Sequence, residues 1–357
     1  MKKRNLSMLV VAMGFFALLL AGSSAFAAAE FTFTVQNHDP ATSIGGQYLE
    51  AWCGKIKEVS GGRIDFVYYH GGSLVGAADA VDAVENGTAD IIWTALNLFA
   101  GKFSVAESIL VPMNGINGAR MGAKVIMDML AEIPEMQAQF AAYKVIQLST
   151  CSYMPLSMTS KKVEKADDLK GLRMRVAGTP VIYWAKGVGI SPMTIPTPET
   201  YESLQRGVID GCANDWHNIA ALKLTEVTKY IMDVPIGVSP LAVLMNKDSY
   251  NGLPDDLKAI IDKYSGAYAS DMAGVYWDST RAWVLDNPGK VEIYSPSEQF
   301  VKDISAGNDA VRTEFINYLN GKGLEGERIY KKFQEIIERH KGKFDFSKPV
   351  NISDFKG

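Results

Sequence analysis

The chain has 357 residues, 47% of them hydrophobic and 21% charged, with a formal charge of −4 at pH 7. That balance argues against nucleic acid or an anionic membrane surface as a partner, while leaving room for a small anion met by local arginines. Three cysteines, Cys53, Cys151 and Cys212, are too sparse for a disulfide framework or a CxxC metal site, although one pair could form in an oxidising compartment.

The chain begins "MKKRN", a basic segment, followed by the apolar run "LSMLVVAMGFFALLLAG" and the small residues "AFAAAE". That order predicts a secretory signal peptide over residues 1–28, cleaved between Ala27 and Glu30. Ser23 stands where a lipid anchor would need cysteine. Cleavage removes Lys2, Lys3 and Arg4, so the formal charge falls from −4 to −7. About 330 residues remain, enough for two lobes of ordinary size. No later stretch approaches the ~18 apolar residues of a membrane span. The mature protein is expected in the periplasm, soluble and monomeric.

The mature chain opens with an alternating strand, "FTFTVQNHDP", and a helix from about Ser43 to Val59. "IDFVYYHGG" reads as a second strand, "VGAADAVDAVENG" as a helix closed by Gly87, and "ADIIWTA" as a third, almost wholly apolar strand. Strands alternating with helices predict an α/β unit built on a mainly parallel sheet. A second cycle starts near "YKVIQLSTCSYMPLSMTS". It continues through the strand "GLRMRV", a helix at about Pro180 to Gly187, and "SPMTIPTPETYESLQRGVIDGCAND" with a helix at Glu199 to Arg206. "PIGVSPLAVLMNKDSYNGLPDD" returns as a strand, and a long helix is expected from about Pro254 through Trp283. At 1.5 Å per residue it would run ~45 Å, long enough to span two lobes. The tail from about Pro288 reads as a short strand and charged helices.

Catalytic signatures are missing. The four histidines, His38, His70, His217 and His340, lack ligand spacing such as HExxH. There is no GxSxG, P-loop or GxGxxG, so an exported hydrolase or lyase lacks a nucleophile with a base, paired carboxylates or metal ligands. No enzyme activity and no cofactor are expected. The strand "GLRMRV" is more telling, because it sets Arg173 and Arg175 on alternate positions of a segment otherwise fit for burial.

In order along the chain stand "DLKGLRMRVAGTP", "SPMTIPTPETYESLQRGVIDGCAND" and "MNKDSYNGLPDDLKAIID". This succession resembles the extracytoplasmic solute-binding proteins of TRAP (tripartite ATP-independent periplasmic) transporters over essentially the whole mature chain. The resemblance implies a two-lobed, type II-like periplasmic binding protein with a ligand cleft between the lobes and a long helix spanning both. Lobe I would comprise residues 29–150 plus about 240–280, and lobe II residues 151–239 plus about 281–357. It also implies capture of a small organic anion and delivery to a membrane permease driven by an ion gradient, commonly sodium. A C4-dicarboxylate receptor and a purely sensory binding protein remain alternatives.

Carried over residue by residue, the second arginine of the block is Arg175, the one that grips the ligand's anionic group, and Arg173 is a surface position. A guanidinium offers paired N–H donors that match two oxygens of a carboxylate or sulfonate. Asn214 matches a ligand-contacting asparagine, while Ala213 replaces a usual glutamate and Asp210 and Gly211 are expected to form the turn. Asn37 matches a polar residue after the first strand. Trp93 stands at the end of the third strand, as a ligand wall or as packing; Trp216 and His217 lie just beyond Asn214. Thr197 occupies a position that is aromatic in sialic-acid binders, which argues against a large sugar. Members that bind dicarboxylates or sialic acid carry a further arginine where this chain reads "SYMPLSMTSKK", with Pro155 near the expected place. One strong anionic group, a monocarboxylate or a small sulfonate such as 2-hydroxyethanesulfonate, is therefore the expected ligand.

Overall fold

The computed structural model describes residues 29–344 and 350–355; the expected signal peptide lies outside them. Among the described residues, eleven strands form two mixed sheets. They are β1 (Phe31–Asn37), β2 (Ile64–Tyr69), β3 (Ile91–Ala95), β4 (Tyr143–Thr150), β5 (Leu156–Met158), β6 (Arg173–Arg175), β7 (Ser191–Met193), β8 (Gly211–Ala213), β9 (Tyr230–Met232), β10 (Pro240–Asn246) and β11 (Glu292–Tyr294). The first sheet has the order β2-β1-β3-β10-β4, the second β11-β9-β5-β8-β6-β7. The helices that matter for the site are α1 (Ile44–Val59), α2 (Ala119–Glu132), α3 (Thr179–Gly187), α4 (Trp216–Ala221), α5 (Asp255–Tyr264), α6 (Ala267–Asp286), α7 (Asn308–Gly321) and α8 (Gly326–His340).

Each sheet holds one strand antiparallel to both neighbours. β10 runs against β3 and β4, and β5 runs against β8 and β9. These two are the strands that the chain enters at its first two passages between the sheets; the third, through α6, leads into β11. β4 leads into β5 through residues 151–155, and β9 leads into β10 through 233–239. The two passages hydrogen-bond to each other: Met154 N donates to Gly237 O (2.8 Å), Ile236 N to Met154 O (3.2 Å) and Cys151 N to Ser239 O (3.0 Å). A paired, two-stranded connection of this kind bends more readily than it stretches.

Local chemistry explains the elements around it. Ser43 caps α1 by accepting from Gly46 N at 3.0 Å. A side chain at Gly46 would meet Ala41 O at 2.4 Å, so only glycine fits there. β10 is buried along all seven residues, as a strand with neighbours on both sides and helices on both faces must be. Tyr48 and Trp52 of α1 are fully buried, with Tyr48 edge-on to Trp277 of α6 and Trp52 against Phe66 of β2.

The expected helix from Pro254 through Trp283 is two helices. α5 ends at Tyr264, and Gly266 takes φ +59°, a region that costs an L-residue with a Cβ. Its N–H is drawn out of the helix to donate to Ile146 O of β4 at 2.7 Å. Only α6, 20 residues long, packs on both halves, touching α1, α2 and β4 on one side and α4 on the other. Its N-terminal partner in the first half is built in trans: Asp278 of α6 accepts from Ala119 N (2.6 Å) and Arg120 N (3.0 Å), the first free N–H groups of α2. Further on, α7 packs on α3, and α8 on α2. All three cysteines are buried and unpaired, so no disulfide forms among them.

Candidate functional site

β6 presents its two arginines to different surroundings. Arg173 is exposed and forks onto Asp210, with Nη2 to Oδ1 at 2.7 Å and Nε to Oδ2 at 3.1 Å. Asp210 is thus an ion-pair partner as well as a loop residue, and Gly211 belongs to β8, where a Cβ would meet Ser157 O at 2.4 Å. Arg175 is 7% exposed. Its Nε donates to Ile195 O (3.2 Å), Nη1 to Asn214 Oδ1 (2.7 Å) and Nη2 to Thr197 Oγ1 (2.8 Å). All three acceptors are uncharged. A guanidinium has five N–H donors, so two are left over, one on each terminal nitrogen.

The electrostatics follow from this arrangement. Burial pulls the Arg175 guanidinium below the usual arginine range, and the nearby Cys212 and Asp215 only partly offset that. It stays cationic, since no protein environment deprotonates arginine. A buried charge that meets only neutral acceptors is expensive unless something else compensates it. Asn214, 1% exposed, gives its oxygen to Arg175 and keeps a buried Nδ2 without a partner. Together they offer four uncommitted N–H bonds, on three nitrogens, and one positive charge to an acceptor group.

The structure therefore brings Arg175, Asn214 and Thr197 together. Thr197 holds the guanidinium in place, a role that position alone could not disclose. Asn37 and Trp93 lie on the first sheet, directly paired in register between β1 and β3. The Asn37 amide is engaged with His70 Nδ1 at 3.1 Å and with Asp39 N at 2.9 Å. Trp93 stacks on Trp277 of α6 (5.9 Å between centroids, 20°) and lies 4.6 Å from the His38 ring, and its indole N–H has no partner. Trp216 is fully buried, edge-on to Tyr153 at 6.1 Å and under the Arg281 guanidinium at 5.8 Å, so it floors the passage between the sheets.

Sequence reading missed two groups here, for want of any local signature. One is Asp233, which accepts from the Tyr153 hydroxyl and from Arg281 Nη2 (2.5 Å). Tyr153 and Asp233 sit on the two crossing segments and Arg281 on α6, so one carboxylate ties all three. The other is Asp39, whose Oδ2 lies 3.8 Å from His217 Nε2, across the gap between the two halves. No arginine stands within "SYMPLSMTSKK": Met154 and Leu156 are buried, Lys161 pairs with Asp168 (3.3 Å) and Lys162 with Glu292 (2.5 Å) at the surface, and the nearby Arg281 is paired with Asp233. Among the described residues, no three His, Cys, Asp or Glu side chains converge as a metal site, and no helix is long and apolar enough to cross a membrane.

A family model described as bacterial extracellular solute-binding protein, family 7 (DctP), matches residues 35–317. The chain belongs to this family. It is a TRAP-type periplasmic solute-binding protein, and not an enzyme. An uncharacterised Haemophilus influenzae protein is 34% identical over 152 residues, a stretch covering 41% of this chain and 45% of that one. The 2,3-diketo-L-gulonate-binding periplasmic protein YiaO of Escherichia coli is 25% identical over 320 residues, 83% of this chain and 96% of its own. A crystal structure of a marine metagenome TRAP solute-binding protein, described as specific for aromatic acid ligands and holding metahydroxyphenylacetate, superposes with a TM-score of 0.80. It shares 25% identity and covers 87% of this chain and 99% of its own. The two-sheet α/β architecture is that of the periplasmic binding proteins of TRAP systems. Small organic acids are the ligands of this class.

Proposed function

We propose that the protein captures a small organic anion with one strong anionic group, a monocarboxylate or a small sulfonate such as 2-hydroxyethanesulfonate, and delivers it to an integral membrane permease driven by an ion gradient, commonly sodium. The observation that carries this reading is the buried Arg175 guanidinium with uncharged partners and two N–H donors to spare. Two oxygens of one carboxylate or sulfonate match those donors, and Asn214 Nδ2 adds a third donor nitrogen. With Lys161, Lys162 and Arg281 each already paired with a carboxylate, a second ligand carboxylate would lose its water and gain no uncommitted charge partner. The ligands named for the E. coli and metagenome relatives each carry one carboxylate, which supports the same class.

The ligand would sit between lobe I, residues 29–150 plus about 240–280, and lobe II, residues 151–239 plus about 281–357. The paired crossing segments would be the hinge, and the closed form would be selected by the contacts that only it makes with ligand. A thermal-shift screen of carboxylates and sulfonates tests the proposal. A ligand at 100 times its dissociation constant stabilises by about 2.7 kcal/mol. A clear rise in melting temperature with singly charged acids is the expected result. A screen in which none of them shifts the transition contradicts the proposal.

A further inference from the structure

The first-sheet side of the gap carries a carboxylate that the anion-binding residues do not explain. Asp39 follows β1. Its backbone is fixed by its own N–H, which donates to Asn37 Oδ1 (2.9 Å), and by its carbonyl, which accepts from Gly71 N (2.8 Å). Its two side-chain oxygens are evenly shared. Oδ1 lies 3.8 Å from His38 Nε2 and Oδ2 lies 3.8 Å from His217 Nε2. Both distances exceed a direct hydrogen bond yet remain within strong Coulombic reach, so neither histidine saturates the carboxylate's acceptor capacity. The side chain is 23% exposed, so the carboxylate borders open space.

Its neighbours point to an occupant as well. His38 Nδ1 and Trp93 Nε1 are both buried without a hydrogen-bond partner. A side chain at Gly45 would come within 3.3 Å of Asp39 Oδ2 and 3.5 Å of the Trp93 ring, so the glycine keeps this corner open. The corner is also close to the anion grip. His217 lies three residues beyond Asn214, on the first turn of α4, and it is the group that faces Asp39 from the second half. Burial draws the His217 imidazolium down, but Asp39 and Asp215 raise it above the ordinary histidine value.

We propose that Asp39 is a selectivity residue: its carboxylate accepts a hydrogen bond from a neutral donor at the far end of the ligand and turns away ligands with a second anionic group there. This rests on the reading of Arg175 as the anion grip. It adds a repulsive element to a preference that the missing second arginine creates only by omission, and specificity commonly needs both.

Calorimetry on the full mature chain tests it with two matched series, benzoate, 3-hydroxybenzoate and benzene-1,3-dicarboxylate, and butyrate, 4-hydroxybutyrate and succinate. Wild type is expected to bind the hydroxy acid of at least one series more tightly than its dicarboxylate. Asp39→Asn should reduce that ratio tenfold or more, a change of about 1.4 kcal/mol. Asp39→Glu, which keeps the charge, should retain the wild-type order, and melting curves will show whether each variant is folded. Arg175→Lys should weaken all members together and leave the ratio unchanged. A ratio within threefold of wild type in folded Asp39→Asn overturns the role of Asp39, as does a wild-type preference for the dicarboxylates. If Arg175→Lys leaves every affinity intact while Asp39→Asn changes the ratio, the anion grip is misassigned and the selectivity role stands. If wild type binds none of the six, both readings fall.

Discussion

Replacing Arg175 by lysine separates its charge from its shape. The arginine spends three N–H donors on Ile195 O, Asn214 Oδ1 and Thr197 Oγ1, at 2.7–3.2 Å, and keeps two in one plane for the ligand. A lysine has three donors on a single nitrogen. It cannot satisfy Asn214, Thr197 and two ligand oxygens at once. Losing one charged hydrogen bond to the ligand costs about 1.5–3 kcal/mol, so affinity for a bound monocarboxylate should fall roughly 10- to 150-fold. Calorimetry with benzoate and pyruvate as probes reads this directly, and the melting temperature without ligand checks the fold. Arg173→Lys is the control. Its guanidinium is exposed and serves Asp210, so its affinities should equal those of wild type. Equal, small effects of the two substitutions would refute the reasoning.

Three further outcomes follow from the same geometry. Burial pushes the Asp278 carboxyl up to about 6, above its value of about 3.9 in an unfolded chain; the native state therefore holds the extra proton, and the stability this gives is complete below pH 4 and lost as pH rises through 6. Chemical unfolding between pH 4 and pH 7 should show a fall of about 3 kcal/mol from this group that Asp278→Asn lacks, and parallel profiles would contradict it. Asp233→Asn leaves Arg281 without its carboxylate and weakens the tie to Tyr153; a loss of about 3 kcal/mol is expected in urea unfolding, against none if the cluster is merely solvated. Finally, small-angle scattering should give a smaller radius of gyration at saturating ligand than without it, and superimposable profiles would count against closure about the crossing segments.

The parts legible in the sequence were those with short-range signatures. Alternation in "FTFTVQN", the apolar "IIWTA" and the helical stretch from about Ser43 to Val59 gave elements close to those found, and the order of motifs carried the family. Arg175 stood out because a guanidinium on an otherwise buried strand is costly without a purpose. What stayed hidden was long-range. Asp39 and His217 meet across the gap between the halves, and Asp233 collects Tyr153 and Arg281 from two other segments; none of these pairs has a periodicity to betray it. The break between α5 and α6 is different. Gly266 is a visible helix breaker, but an apolar pattern that resumes at once on either side reads as one helix, and the bond that stabilises the break comes from Ile146 of β4.

The central claim is that this site is built for one strong anion. An equilibrium competition on the wild-type protein at matched chain length, setting succinate and malate against butyrate and 2-hydroxyethanesulfonate, tests it most directly. The structure around Arg175, where Lys161, Lys162 and Arg281 are each already paired with a carboxylate, predicts that a singly charged ligand wins. A tenfold or greater advantage for succinate or malate, about 1.4 kcal/mol, contradicts the claim and makes the protein a C4-dicarboxylate receptor.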